Sequence, residues 1–283
     1  MSYLLENPLI LQLIVFASII IFFWSLELVI FSQDIKSKAS HSLLNAKFIS
    51  LVLPVQMLLS TVVFMVANWT VDQSWGLLHL LPITENKVVY FITAFIAIDF
   101  FDYWYHVMMH RVPWFWRFHQ IHHSDMEVDI STTVREHPGE TAIRVSYLAL
   151  IVFVLGVPAS FLLLKQFIQS FINLTSHSKV KLNPKVDRIV SWVFVTPSTH
   201  HIHHHYVLPY TDSNYGDILG IWDRLFGTYT SMEQSSIVHG IDTNMDAEEN
   251  SDFKNLVTRP FDGERIHSTN PVYANKTSLK SVK

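Results

Sequence analysis

The chain has 283 residues, 49% of them hydrophobic and only 16% charged. A soluble domain usually has about a quarter of its residues charged, so lipid is expected as part of the solvent. The net charge of -4 gives no basis for nucleic-acid binding, and the lack of cysteine excludes disulfides, thiolate zinc sites, iron–sulfur clusters and thiolate haem.

Residues 8–31 (PLILQLIVFASIIIFFWSLELVIF) are apolar for long enough to span a bilayer, with Glu27 as the one charge. A cleaved signal peptide is the competing reading, but the run is too long and lacks a basic leader. Residues 48–69 form a second span with Pro54 as a tolerated kink. Residues 88–105 form a third, which runs directly into a histidine pair. The apolar stretch 142–173 contains Gly156, Pro158 and Lys165. It reads better as two short helices in a hairpin, with one kinked span as the alternative. Residues 186–195 (VDRIVSWVFV) read as an interfacial amphipathic helix.

Basic residues set the expected orientation. Lys36, Lys38 and Lys47 place the 32–47 loop in the cytoplasm, and the 70–87 loop, with only Lys87, lies outside along with the N-terminus. Arg111, Arg117, Arg135 and Arg144, then Lys179, Lys181, Lys185 and Arg188, keep the later loops cytoplasmic. The expected fold is an all-α integral membrane protein of about four passes, three spans plus a hairpin, with a cytosolic helical cap. The expected units are N-terminal transmembrane helices (1–87), a catalytic domain (88–230) and a polar cytosolic tail (231–283), disordered at its end. The membrane is a bacterial inner membrane or the endoplasmic reticulum. Internal repeats and a glycine-rich phosphate loop are not found in the sequence.

Of the 16 histidines, all but His41, His79, His239 and His267 lie between His106 and His205. His106 and His110 are spaced i, i+4. His119, His122 and His123 are spaced i, i+3, i+4, and on a helix each set shares one face. The run HHIHHH at 200–205 fits that second spacing twice, as His200/His203/His204 or as His201/His204/His205. Burying so many imidazoles near lipid is costly unless something coordinates them, and the donors exceed what one ion can use. The set therefore points to two metal ions. All-nitrogen ligation suits iron, zinc, copper or nickel; open positions on a metal pair suit iron and oxygen activation, with zinc as a possible replacement. The four outlying histidines are read as structural. Acceptors for the far ring nitrogens are expected: Asp102, one turn before His106, and Asp125, Asp212 and Asp223, the last of which equally suits a helix or turn cap.

The run Asp102-Tyr103-Trp104-Tyr105-His106 through His110, with Pro113, Trp116, Phe118-His119 and His122-His123-Ser124, resembles the fatty acid hydroxylase/sterol desaturase superfamily. The resemblance continues in Arg135-Glu136-His137-Pro138-Gly139-Glu140, Pro197-Ser198-Thr199-His200 and Thr211-Asp212-Ser213-Asn214-Tyr215-Gly216. It closes in Trp222-Asp223-Arg224-Leu225-Phe226-Gly227-Thr228-Tyr229, covering roughly residues 90–230. It implies a membrane di-iron centre held by His106, His110, His119, His122, His123, His200, His203 and His204, the first third-box register being favoured by Pro197 and by the distance to Asn214-Tyr215-Gly216. His177 is a ninth ligand and Asn173 acts at most through water. His137 has a structural or supporting role, His201 occupies a position often basic in the family, and His205 is an extra histidine. The implied reaction uses O2 and two electrons from a cytochrome b5 or ferredoxin type donor to hydroxylate a C–H bond of a membrane lipid, whether sterol-like, fatty acyl or ether lipid. Desaturation on the same centre is the alternative. A histidine-lined metal transporter is the rival of a different class, disfavoured because transporters bind ions near the mid-membrane.

Overall fold

The computed structural model describes residues 8–31, 34–83 and 86–262. His267 and the end of the expected disordered tail lie outside the described residues. Helices α1 (Pro8–Ile30), α2 (Ile35–Asp72) and α3 (Lys87–Arg111) are followed by a short α4 (Pro113–His123). Next come α5 (Pro138–Leu155), α6 (Ala159–His177), α7 (Pro184–Val190), α8 (Pro197–His203), α9 (Ile221–Leu225) and α10 (Phe253–Thr258). Strand pairing among the described residues is limited to isolated bridges. The stretch Ile35–Leu80 and the helices Lys87–Arg111 and Pro138–Leu155 are long and apolar enough to cross a membrane. The protein is an all-helical membrane protein.

The 32–47 region differs from expectation. From Ile35 onward it is the first third of α2 rather than a loop. Asp34 caps the helix by accepting from the Ser37 N–H at 2.8 Å. Lys38, His41 and Asn45, at helical spacing, turn one polar face onto Asp129 and Asp125. The helix thereby begins well before its apolar stretch and helps to hold the histidine-bearing end. Lys38 also bonds Glu27 at 2.7 Å, so the one charge of α1 is paired.

α5 and α6 form the hairpin, broken at Gly156-Val157-Pro158. Gly156 is left-handed (φ 76°), and a Cβ there would stand 2.0 Å from the Trp75 carbonyl oxygen. The hairpin tip thus packs against the α2–α3 connection, where Tyr90 Oη donates to the Gly156 carbonyl at 3.0 Å. Val63, Ala67, Ala94, Ile98, Val152, Leu155 and Phe161 fill the apolar core toward this end. The opposite end collects the end of α1, the start of α2, the end of α3, α4, the start of α5, the end of α6, and α8. All the histidine boxes are at that end.

Residues 231–262 are part of this cap rather than a loose tail. Leu256 packs with Phe48 and Ile121. Arg135, fully buried, donates to Asn250 O, Asn45 Oδ1, Ser124 Oγ and Ile121 O, tying the tail to α2 and α4. The expected interfacial helix at 186–195 is helical only as Pro184–Val190, and turns follow it.

Candidate metal centre

Each box gets its geometry from a local rule. α3 carries His106 and His110 on one face of its last turns. Pro113 at the first position of α4 breaks the chain from α3 and restarts it at an angle, which swings His119, His122 and His123 back toward α3. Thr196 and Thr199 form a capping box that starts α8 just ahead of His200, and His204 closes the helix. His177 is the last residue of α6.

The nine imidazoles meet in two groups. His106, His110, His119, His123 and His203 form one, and His122, His177, His200 and His204 form the other; within each group one ring nitrogen per residue lies within 4.8 Å of all the rest. Sequence neighbours separate: His122 and His123 serve different groups, as do His203 and His204. The rings of His123 and His204 stack at 4.4 Å across the boundary, so the groups are adjacent. His200, His203 and His204 enter the groups, whereas His201 and His205 do not.

Hydrogen bonds decide what these rings can bind. The Nδ1 atoms of His106, His122, His177 and His203 lie 2.9, 3.2, 2.7 and 2.7 Å from the carbonyl oxygens of Tyr215, Arg135, Asn173 and Ser213. His119 Nδ1 lies 2.7 Å from Glu140 Oε1. A carbonyl oxygen only accepts, so Nδ1 carries the proton and Nε2 of the neutral ring is a bare lone pair. Yet His106 and His119 bring their Nε2 atoms to 3.2 Å, and His122 and His177 to 3.1 Å. His200 Nε2 comes within 2.9 Å of His177 Nε2 and 3.3 Å of His204 Nε2. The His106–His119 and His122–His177 lone pairs face each other at that range and repel unless a cation sits between them; His200 and His204, whose Nδ1 atoms have no acceptor, are free to take either tautomer. Two nitrogens bound to one ion at about 2.0–2.1 Å lie about 2.9 Å apart at a right angle and about 3.3 Å at the tetrahedral angle. The donor set therefore fits a metal ion in each group.

Burial first, and then the neighbouring imidazoles, hold His122, His123, His200, His203 and His204 well below the usual histidine pKa. They are neutral at pH 7, the form that ligates metal. Among the described residues, both ring nitrogens of buried His123, Nε2 of His203 and Nδ1 of His200 and His204 have no hydrogen-bond partner. That is an expensive arrangement for a site built only to be a core.

The remaining candidates divide. Asp212 reaches His110 Nδ1 at 3.4 Å and Arg111 at 3.4 Å, and burial pushes its carboxyl up to about 6. Asp223 touches no clustered ring; it accepts from the Tyr215 and Gly216 N–H groups at 2.7 and 2.9 Å and so holds the loop whose carbonyl orients His106. Asn173 contributes its carbonyl to His177. Asp102 is a correction: its carboxylate is taken by Lys165 across the α3–α6 interface, and His106 turns to Tyr215 instead. His137 caps α5 through Nδ1 and reaches Val257 O at 3.1 Å, away from both groups. Asp125 accepts from Asn45 and Thr132 and pairs with His41, which is thus structural as expected. His205 accepts from the Val238 N–H, and His201 pairs with His239. Sequence reasoning missed Glu140 as the acceptor for His119; its signal was the acidic residue in Arg135-Glu136-His137-Pro138-Gly139-Glu140. The carbonyls of Arg135, Ser213 and Tyr215 carried no signal at all.

The fatty acid hydroxylase family model matches residues 91–228, the segment that holds all nine histidines. Over this segment, just under half of its length, the chain is similar to the fatty acid hydroxylase superfamily. Among its relatives is human alkylglycerol monooxygenase, 31% identical over 53% of this chain and 32% of that protein. The ornithine lipid hydroxylase of Rhizobium tropici is 29% identical over 53% of this chain and 45% of its own length. A cholesterol 25-hydroxylase-like protein of Danio rerio is 27% identical over 50% of this chain and 56% of its own length. The match thus spans about a third of the alkylglycerol monooxygenase and about half of the other two. No solved structure matches the chain.

Proposed function

We propose that this chain is a membrane-bound, O2-dependent lipid hydroxylase working with two iron ions. The observation that carries the reading is the convergence of Nε2 atoms at 2.9–3.3 Å in two adjacent groups, with lone pairs facing each other in His106–His119 and His122–His177. The five-histidine group would hold one ion, and His122, His177, His200 and His204 the other. When bound, such a pair supplies the oxygen activation that an unactivated C–H bond requires.

The chain's own residues do the rest. Carbonyls of Tyr215, Arg135, Asn173 and Ser213 fix each ring's tautomer and angle before any ligand arrives. Glu140 does the same for His119 through a side-chain carboxylate rather than a carbonyl. Burial keeps the rings neutral and excludes water from the reacting carbon. The histidine end sits directly beyond the apolar part of α3, so a membrane lipid can present a carbon to the site without leaving the bilayer. We place this end on the cytoplasmic side, where a cytochrome b5 or ferredoxin type donor would deliver two electrons. Three relatives named as hydroxylases or monooxygenases favour hydroxylation over desaturation. The position of the boxes beyond the span, rather than at its middle, disfavours metal transport.

Purified protein in lipid vesicles, given 18O2 and a reducing donor with alkylglycerol, ornithine lipid and sterol substrates in turn, tests this. A lipid alcohol with one 18O is the expected product. An alkene without label assigns desaturation, and no oxidised lipid from iron-loaded protein overturns the proposal.

A further inference from the structure

We propose that residues 189–194 and 221–229 form one ledge immersed in the bilayer, beside α3 and below the level of the lipid headgroups. A helix rises 1.5 Å per residue, so the roughly 30 Å hydrocarbon layer is crossed in about 20 residues. Counted from Val88, Phe100 stands about 18 Å and Trp104 about 24 Å into that layer. The ledge packs at this depth. Phe226 lies 5.2 Å from Trp104, 5.3 Å from Tyr103 and 6.1 Å from Phe100, and Trp222 lies 5.4 Å from Phe100.

The second observation concerns the backbone. Irregular chain at membrane depth is tolerated only where its polar groups are satisfied by protein. Asp99, fully buried inside α3, accepts from the N–H groups of Ile218 and Leu219 at 3.2 Å each and from Trp222 Nε1 at 2.8 Å. The Val195 N–H is taken by the Ile218 carbonyl at 2.9 Å, joining the two segments. A carboxylate within a span is costly; here it satisfies the loop that would otherwise carry bare N–H groups into lipid.

The outer surface fits lipid. Ile189 is 72% exposed, Trp192 60% and Leu225 64%. Arg224 lies between Trp192 and Tyr229, at 4.6 and 3.8 Å from the ring centroids. Stacking on two rings lets its guanidinium reach the headgroups while the apolar side chains stay below. The ledge does not depend on the proposed reaction.

The chain has no cysteine, so one substitution places one nitroxide label. Ile189→Cys and Leu225→Cys are labelled separately in phosphatidylcholine vesicles. Their accessibility to O2 and to a water-soluble nickel chelate is read by power saturation. Leu58→Cys, at a residue 70% exposed on α2, is the lipid reference, and Glu248→Cys, in an exposed loop, is the water reference. Both ledge labels are expected to favour O2 several-fold, like position 58. Values matching position 248, or closure to both reagents because a second copy covers the face, would overturn the proposal; the two sites report independently should one variant misfold.

Discussion

The two ends of the helical bundle are built on opposite principles. At the hairpin tip, Gly76 and Gly156 meet backbone to backbone beneath an apolar core. At the other end the chain buries polar groups densely: nine imidazoles in two groups, the Lys38–Glu27–Asp129 triad, and Arg135 with four acceptors. Tip packing stabilises without regard to any ligand. The histidine end has orphaned nitrogens and facing lone pairs that only a cation relieves. Damage at the tip should therefore cost stability, whereas damage at the histidine end should cost metal first.

The largest effect that separates the two ends is loss of a ring. His119→Ala or His203→Ala is expected to lower metal content and to cut lipid oxidation by more than about 100-fold, while circular dichroism shows a helical protein. Retention of both metal and oxidation would break the comparison.

Acid should strip the metal-free histidine end next. Rings held below the usual pKa stay neutral in the folded chain, while the unfolded chain protonates them below about 6.5. Stability of metal-free protein is expected to rise with pH up to that point and to fall below it, by up to roughly 1.4 kcal/mol per pH unit for each such ring. Thermal unfolding between pH 7.5 and 5.5 measures this, and a flat profile would count against it.

Glu140→Gln leaves every ligand in place and removes only the anion from His119. Metal affinity is expected to drop about 10- to 100-fold, as read by competition with a chelator. At the tip, Gly156→Ala forces a side chain into a left-handed position against the Trp75 carbonyl. A loss of at least about 1–2 kcal/mol of stability is expected, with metal affinity unchanged once folded. His205→Ala marks the floor: its ring accepts only from the Val238 N–H, and metal content should stay within about twofold of the parent, unlike His200→Ala.

The histidine groups were legible because i, i+3 and i+4 spacings force side chains onto one face whatever surrounds them. Spacing alone left His200/His203/His204 and His201/His204/His205 equivalent; the fold separates them because α8 starts at Pro197 and aims His200 toward His177. The acceptors were mostly illegible, since a backbone carbonyl has no identity in sequence, and Tyr215, Ser213 and Arg135 serve through their main chains. Asp102 misled for a related reason: helical spacing set it below His106, but Lys165 on another helix lies closer. The long apolar runs revealed the bundle. They did not reveal that α2 continues through 35–47, because the polar stripe of Lys38, His41 and Asn45 looks like a loop until Asp125 and Asp129 fold over it.

Elemental analysis with Mössbauer spectroscopy, on protein prepared without oxygen and held in detergent, tests the central claim most directly. Two metal ions per chain, as a coupled iron pair, are predicted. One ion or none, in protein that remains folded, would contradict the two-ion centre.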